Sequence, residues 1–506
     1  MRKIAFLTCM LMLISVFAVA CANNGVGDDT TVPQGTTSAE YSGSDTDSTG
    51  YDTTEPDIYA DLPTGSYSGF QFDILTSPVS WTAYENMCVE AESGEPVEDE
   101  IYYRNIEISE KFGIAVAERV TSGDTEVKSI IAAQIMSGDQ SYDMFSASAA
   151  FSTSLAIEGY LVDLNEPISF DFDKPWWDKG YNESIKLGDR MYVAFGDLSM
   201  SYVGGVFCMA FNPDMISAYG LENPYDIHSA GNWTYEKVHE MMSVVSEDKN
   251  GDGTKTTLDS DVFGIVGHSN QLIHLVLGSG ESLIKRNDAD GTMTLYADNE
   301  RFFNAFTSVV NNFVNSEGSV WAGITPGYAD YNAQFTVSGY AQIFNDGRSL
   351  FLTDVMAAFK DNREAEIPYQ IIDFPKYDTS QADYYSVRYS GGRGITMISG
   401  FSDNDMERNA AIIENMAAYN HKNVIPQFIE VTLYYKYAKN PQSLDMLKIM
   451  LGRTGFSDLA FLYNWGSISN ITNTLFYNGR TTLASALKTI QSKFNKDVAS
   501  VLEYFE

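Results

Sequence analysis

The chain is short of positive charge and of cysteine. Against 68 Asp and Glu stand only 32 Lys and Arg, a net charge of −36. Such a surface repels the phosphates of nucleic acid and offers no polybasic patch for anionic lipid. Four cysteines in 506 residues exclude a disulfide scaffold. Two of them, Cys88 and Cys208, could pair or stay reduced and buried, and the sequence leaves both open. No nucleophile elbow, phosphate-cradling glycine loop or CxxC occurs, and the Gly-Gly-Arg-Gly at 391–394 lacks dinucleotide spacing. What is there is apolar material: 44% hydrophobic and 13% aromatic residues, enough for large cores in two or three domains.

The N-terminus carries Arg2 and Lys3, then an apolar run over 4–19 that is too short for a permanent span. It ends Ala18-Val19-Ala20-Cys21, which resembles the lipobox of bacterial lipoproteins. The resemblance implies a signal peptide over 1–20, cleavage before Cys21 and lipidation of that residue, a membrane anchor without a transmembrane helix. An ordinary export signal with an incidental cysteine is the alternative. The tether expected over 21–65 is Gly, Ser, Thr and Asp with almost no apolar surface to bury. A flexible leash of that length spans on the order of 35 Å.

Residues 189–215 are nearly uncharged and mostly apolar, broken by Gly196-Asp197 and by Gly204-Gly205. The breaks exclude a membrane helix, which needs about 18 or more continuous apolar residues. Two strands fit better, over 191–195 and 206–211, the first leaving one lobe and the second buried in the next. Gly196 and Asp197 then sit at the crossing, beside a cleft between lobes.

Strand and helix patterns alternate on both sides of this stretch, which indicates a parallel or mixed sheet. Residues 70–75 read as a strand and 98–112 as a helix with Ile101, Ile108 and Phe112 on one face. Asp124 is expected to cap the next helix, and 142–146 to form a strand. The serial order of Tyr102-Tyr103-Arg104-Asn105, KFGI, SGDQSYDMF, GYLVDLNE, Trp176-Trp177-Asp178, GDRMYVAFGD and FNPDMISAYGLENPYDI resembles the sugar-type extracellular solute-binding proteins of bacterial ABC importers. The likeness covers roughly residues 66–506 and lies in the order of the motifs. It implies an α/β, two-lobed, periplasmic-binding-protein-like fold of type II, the lobes joined by hinge crossings. The first lobe would take 66–195 and 355–399, the second 196–354 and 400–506.

In the second lobe, 235–245 is an amphipathic helix with Val238, Met241, Met242 and Val245 on its stripe. Its His239-Glu240 lacks the second histidine of a zinc protease, since Ser243 stands there. Asp248, Asn250, Asp252, Thr254 and Asp259 then have the oxygen spacing of an EF-hand calcium loop, with Gly253 at the sixth position. The exiting segment reads as a strand, so a structural Ca²⁺ is expected rather than a sensor; a metal-free turn is the alternative.

The resemblance also implies which residues face the cleft: Ser77, Trp81, Ser148, Asp197, His268, Asn270, Asp354 and Trp465. Sugar rings offer apolar C–H faces to Trp, with Trp81 and Trp465 preferred, and hydroxyls to groups such as Asp197. Core packing is the alternative for the tryptophans, and a turn or capping role for Asp197. The strand over 349–354 is expected to cross back to the first lobe, and 405–419 to return to the second. The resulting expectation is a monomeric, lipid-anchored protein on the extracellular face of the bacterial membrane. It would bind carbohydrate, an oligosaccharide in particular, for an ABC permease and catalyse nothing. A tethered glycan hydrolase, its acid pair hidden among the 68 carboxylates, and a polymer-adhesion module are the alternatives.

Overall fold

The computed structural model describes residues 57–504, apart from 80–83, 85, 288–291, 336–337, 360–366 and 435–440 and the side chains of 432–434. The described residues form one compact unit. The expected signal peptide, Cys21 and most of the expected tether lie outside the described residues, as does Trp81. Among the described residues no helix is long and apolar enough to cross a membrane.

Two sheets are built from nine strands: β1 (Gln71–Thr76), β2 (Ala115–Val120), β3 (Met144–Ser148), β4 (Phe207–Phe211), β5 (Phe263–His268), β6 (Ser319–Ala322), β7 (Ser349–Val355), β8 (Gln370–Asp373) and β9 (Arg393–Met397). The first sheet has the order β9-β3-β1-β2, and the second β8-β4-β7-β5-β6. β1 runs parallel to β2 and β3, and β5 parallel to β6 and β7, while β9, β4 and β8 are antiparallel to their neighbours. Each parallel step is bridged by helices, as the alternating pattern requires.

Local sequence explains the principal helices. α1 (Pro96–Phe112) has Pro at its first turn with Glu98 and Asp99, and ends at Gly113, whose φ of 70° is left-handed. Its stripe of Val97, Ile101, Ile108 and Phe112 is buried as the spacing predicts. α2 (Asp124–Ser137) differs in its start: Gly123 holds the N-cap position, and the Asp124 carboxylate turns away to Ser77 and Arg393. α3 (Tyr235–Val245) has the expected bounds and stripe. His239 on it contacts the Asn312 carbonyl at 2.8 Å through Nδ1. α4 (Asp403–Tyr419), α5 (Ile425–Tyr434), α6 (Pro441–Leu451) and α7 (Leu483–Leu502) follow.

The pleat of β1 divides its side chains between two cores. Phe72 and Ile74 join Met144, Ile395, Ile412, Ile413 and Met416 on one face. Leu75 faces the larger core, which continues past Val203 and Val206 into the second sheet. α4 therefore belongs to the first lobe, not the second as expected, because its apolar face covers the first sheet. β8 is displaced in the opposite sense. The segment carrying it was expected in the first lobe, yet it pairs with β4 in the second sheet. The expected return at 355 thus comes near 388, where Arg388 bridges Val206 before the chain enters β9. Cys88 and Cys208 are both free, one in each lobe.

The outgoing crossing is also less regular than a strand. Residues 191–195 make one bridge, in which Ala194 and Ile395 exchange N–H···O bonds of 2.9 and 2.8 Å. Gly196 bridges Trp177, and the Asp197 N–H donates to the Trp176 carbonyl at 2.9 Å. A Cβ on Gly196 would lie 2.2 Å from that carbonyl oxygen, well inside van der Waals contact. Gly196→Ala should therefore cost about 2 kcal/mol, the usual scale of overpacking, read as a lower urea midpoint at unchanged m-value.

Candidate functional site

The carboxyl ends of β5 and β7 meet at one cavity beside the hinge. Loops there hold ligands in open α/β folds. His268 ends β5, Asp354 is the next-to-last residue of β7, and both line a cavity of about 200 Å³ with Phe207, Asn270, Gln271, Tyr340, Val355 and Tyr389. Across the hinge, Arg393 begins β9 opposite Ser148, the last residue of β3.

Tyr340, Asp354, His268 Nδ1 and Gln271 are each held by a neighbour. The Tyr340 hydroxyl donates to Asp354 Oδ2 at 2.9 Å, and Asp354 Oδ1 accepts from the Val355 N–H at 2.8 Å. Burial and the adjacent carboxylate push the Tyr340 hydroxyl well above its ordinary range, so it stays a neutral donor. His268 Nδ1 accepts from the Asn270 N–H at 3.2 Å, which leaves Nε2 to carry the ring proton. Gln271 accepts the His268 N–H at 3.2 Å and also the Thr353 hydroxyl, so it ties β5 to β7 beneath the cavity. His274 packs on Phe207 with ring centroids 4.0 Å apart. Burial pushes its imidazole down to about 4, and Nδ1 lies 3.0 Å from the Asn270 carbonyl. A neutral imidazole thus steadies the loop. The result is an imidazole N–H, a carboxamide, a carboxylate and a phenol around aromatic walls.

Of the expected cleft residues, the structure brings His268, Asn270 and Asp354 together. Ser77 and Ser148 lie at the carboxyl ends of β1 and β3 on the first lobe but do not line this cavity. Ser77 is buried and donates to Asp124 at 2.7 Å, and Asp124 also receives Arg393 at 3.0 Å. Ser148 caps the helix Ala149–Ile157. Asp197 is placed elsewhere. It lines a different cavity and its Oδ2 sits 2.6 Å from His421 Nδ1. Trp465 is a correction: only 4% exposed, it stacks on Tyr463 at 5.1 Å and meets Phe494 of α7 edge-on. It is core packing, because α7 covers the face a sugar would need. Phe207, Tyr340 and Tyr389 were not singled out in the sequence. Each stands in an ordinary apolar or aromatic context, and only the sheet register aims it at the cavity.

The Asp248 loop fits a cation in part. Asp248 accepts the Gly251 and Gly253 N–H groups at 2.8 Å each, and Asn250 and Asp252 accept along the same turn. Asp259, the expected last ligand, instead accepts the Thr256 hydroxyl at 2.7 Å. The neighbouring Asp261 faces the loop through the N–H groups of Lys249 and Thr256. Among the described residues no group of three or more His, Cys, Asp or Glu is poised to hold a metal. These hydrogen bonds close the turn.

No protein-family model matches the chain, and no curated protein does. Solved structures do. The ABC substrate-binding protein from Listeria monocytogenes, in complex with cycloalternan, is 15% identical with a TM-score of 0.53, over 86% of this chain and 100% of that one. UspC from M. tuberculosis is 13% identical with a TM-score of 0.55, over 84% and 100%. A sugar transporter protein from Rhizobium etli, in an open conformation, is 13% identical with a TM-score of 0.52, over 85% and 99%. The chain has the two-lobed fold of ABC solute-binding proteins. At these identities the likeness establishes fold, and the site is argued from its own residues.

One buried acid of this fold titrates near neutrality. Glu414 of α4 accepts both indole N–H groups of Trp176 and Trp177, each at 2.8 Å. Burial is the main cause of its rise to about 7 from the ordinary 4.5, and the indoles oppose it. The unfolded chain releases this proton first, so between those values the folded state binds more protons. The contribution is full below about pH 4.5 and lost as pH rises through 7, on the order of 3 kcal/mol in all. Wild type should lose stability between pH 5 and 8, and Glu414→Gln should flatten that slope in urea titrations at the two values.

Proposed function

We propose that this chain is the solute-binding component of a bacterial ABC importer and captures carbohydrate by closing two lobes over it. The single observation that carries this reading is the cavity on the strand-end face of the hinge. Its His268 N–H, Asn270 amide and Asp354 carboxylate suit sugar hydroxyls, and Phe207, Tyr340 and Tyr389 supply ring faces beside them. The ligand of a neighbour with this fold points the same way: cycloalternan for the Listeria protein. A cavity of about 200 Å³ is smaller than the roughly 300–1,000 Å³ of ordinary small-molecule pockets. An oligosaccharide would therefore extend past it toward Ser77, Ser148 and Arg393 of the first lobe. Trp81 follows β1 by five residues and is proposed as a stacking platform there.

Binding rather than conversion follows from the chemistry of the cavity: Asp354 is its one carboxylate, and glycoside hydrolysis ordinarily takes a pair. Lipidation at Cys21 would hold the body at the extracellular face of the membrane, near a permease.

Titration of the purified, untethered body with a panel of neutral oligosaccharides, followed by calorimetry and product analysis, tests the reading. One sugar should bind at one site and be recovered unchanged. Asp354→Ala should weaken it at least about tenfold, or 1.4 kcal/mol, with little change in melting temperature. Released monosaccharide would instead establish a hydrolase, and binding to insoluble polymer alone an adhesion module.

Calcium at the Asp248 loop is proposed as a structural staple, supported by the spacing of its oxygens. Chelator should then lower the melting temperature by several degrees, and Ca²⁺ should restore it; an unchanged melt removes the metal.

A further inference from the structure

A cluster of cationic side chains lines a second cavity beside the hinge. Arg388 and Tyr389 are consecutive on the returning segment, and successive side chains of an extended chain point to opposite sides. Tyr389 lines the cavity described above, whereas Arg388 lines a second one of about 550 Å³. The first lobe contributes Trp177, Asp178 and Asp197 to this second cavity, and α6 with the turn after it contributes Lys448, Arg453 and Thr454. Ile425, Pro426 and Ile429 of α5 form an apolar wall.

In a chain of net charge −36, this cavity is lined by four cationic side chains, Lys179, Arg388, Lys448 and Arg453, against two carboxylates. Both carboxylates are committed. Asp178 accepts the Tyr181 N–H at 3.0 Å, and the Tyr202 hydroxyl and Gly455 N–H at 2.7 Å each. Asp197 is held by His421. Lys179 and Arg453 have carboxylate partners in Asp173 and Asp373. Lys448 and Arg388 have none among the described residues. Arg388 is only 3% exposed. It stacks over Tyr202 at 4.6 Å and donates only long bonds, of 3.4 to 3.5 Å, to the carbonyls of Tyr202, Val203 and Arg453. Its Nε has no partner at all. Asp197 attracts Arg388 at longer range, but a buried guanidinium with no direct ion pair is costly unless something supplies one.

We propose that this hinge-face cavity is a second ligand site, taking a small oxyanion, a carboxylate- or phosphate-type group, on Arg388 and Lys448. The planar fork of Arg388 matches two oxygens of such a group. Lys448 at the rim adds a point charge, Thr454 a hydroxyl, and the α5 wall accepts an apolar portion if the ligand has one. The site is independent of what the opposite cavity holds.

The test uses the full protein titrated with inorganic phosphate, sulfate and citrate at ionic strength held constant with chloride, by calorimetry and thermal melting. At least one of the three should bind saturably, one per chain, and raise the melting temperature above the chloride control. Arg388→Gln should weaken that binding roughly tenfold or more, and Lys448→Gln by several-fold, the scale of lost charge-assisted hydrogen bonds. If Arg388→Gln does not fold, the exposed Lys448→Gln decides alone. Stabilisation equal to that of chloride, absence of saturable binding by all three, or unchanged affinity in Lys448→Gln overturns the site.

Discussion

The hinge depends on one buried carboxylate. Glu414 lies on α4, which covers the first sheet, and receives the indole protons of Trp176 and Trp177. Those rings would otherwise bury unpaired donors. With them fixed, the Trp176 carbonyl is placed to accept Asp197, and Gly196 slides past at a distance no side chain could tolerate. The crossing is thus anchored at its first-lobe end by side chains distant in sequence. Its second-lobe end is anchored by ordinary sheet pairing in β4. A hinge needs such rigid ends around a short segment that absorbs the motion.

The two crossings also divide the molecule's chemistry. On the returning segment the consecutive Arg388 and Tyr389 serve different cavities. One cavity gathers the carboxyl ends of β5 and β7, with neutral donors, one carboxylate and aromatic walls. The other gathers cations under an apolar wall. The two cavities share no side chain.

Much of the architecture was legible because it rests on local periodicity. The stripes of α1 and α3 and the alternation in β1 each identify a buried face whatever lies beyond it. The errors fell where partnership decides. β8 reads as a strand in either lobe, and only its register with β4 assigns it. α4 reads as an amphipathic helix for either sheet. Trp465 carries the same indole whether it faces a sugar or Phe494. Asp124 has the residue type of a cap, yet Ser77 and Arg393 claim it. At the site, the polar patch of His268 and Asn270 after a strand was visible, whereas Phe207, Tyr340 and Tyr389 were not, since aromatics in an aromatic-rich chain carry no positional signal.

By itself the sequence determined the class of fold, the place of the first crossing and the acidic surface, because these follow from residue spacing, glycine breaks and summed charge. Only the tertiary structure decided which strands share a sheet, which cavity Asp197 lines and that Arg388 is buried without a direct ion pair. Those outcomes are set by contacts between residues hundreds of positions apart, and no local pattern encodes them.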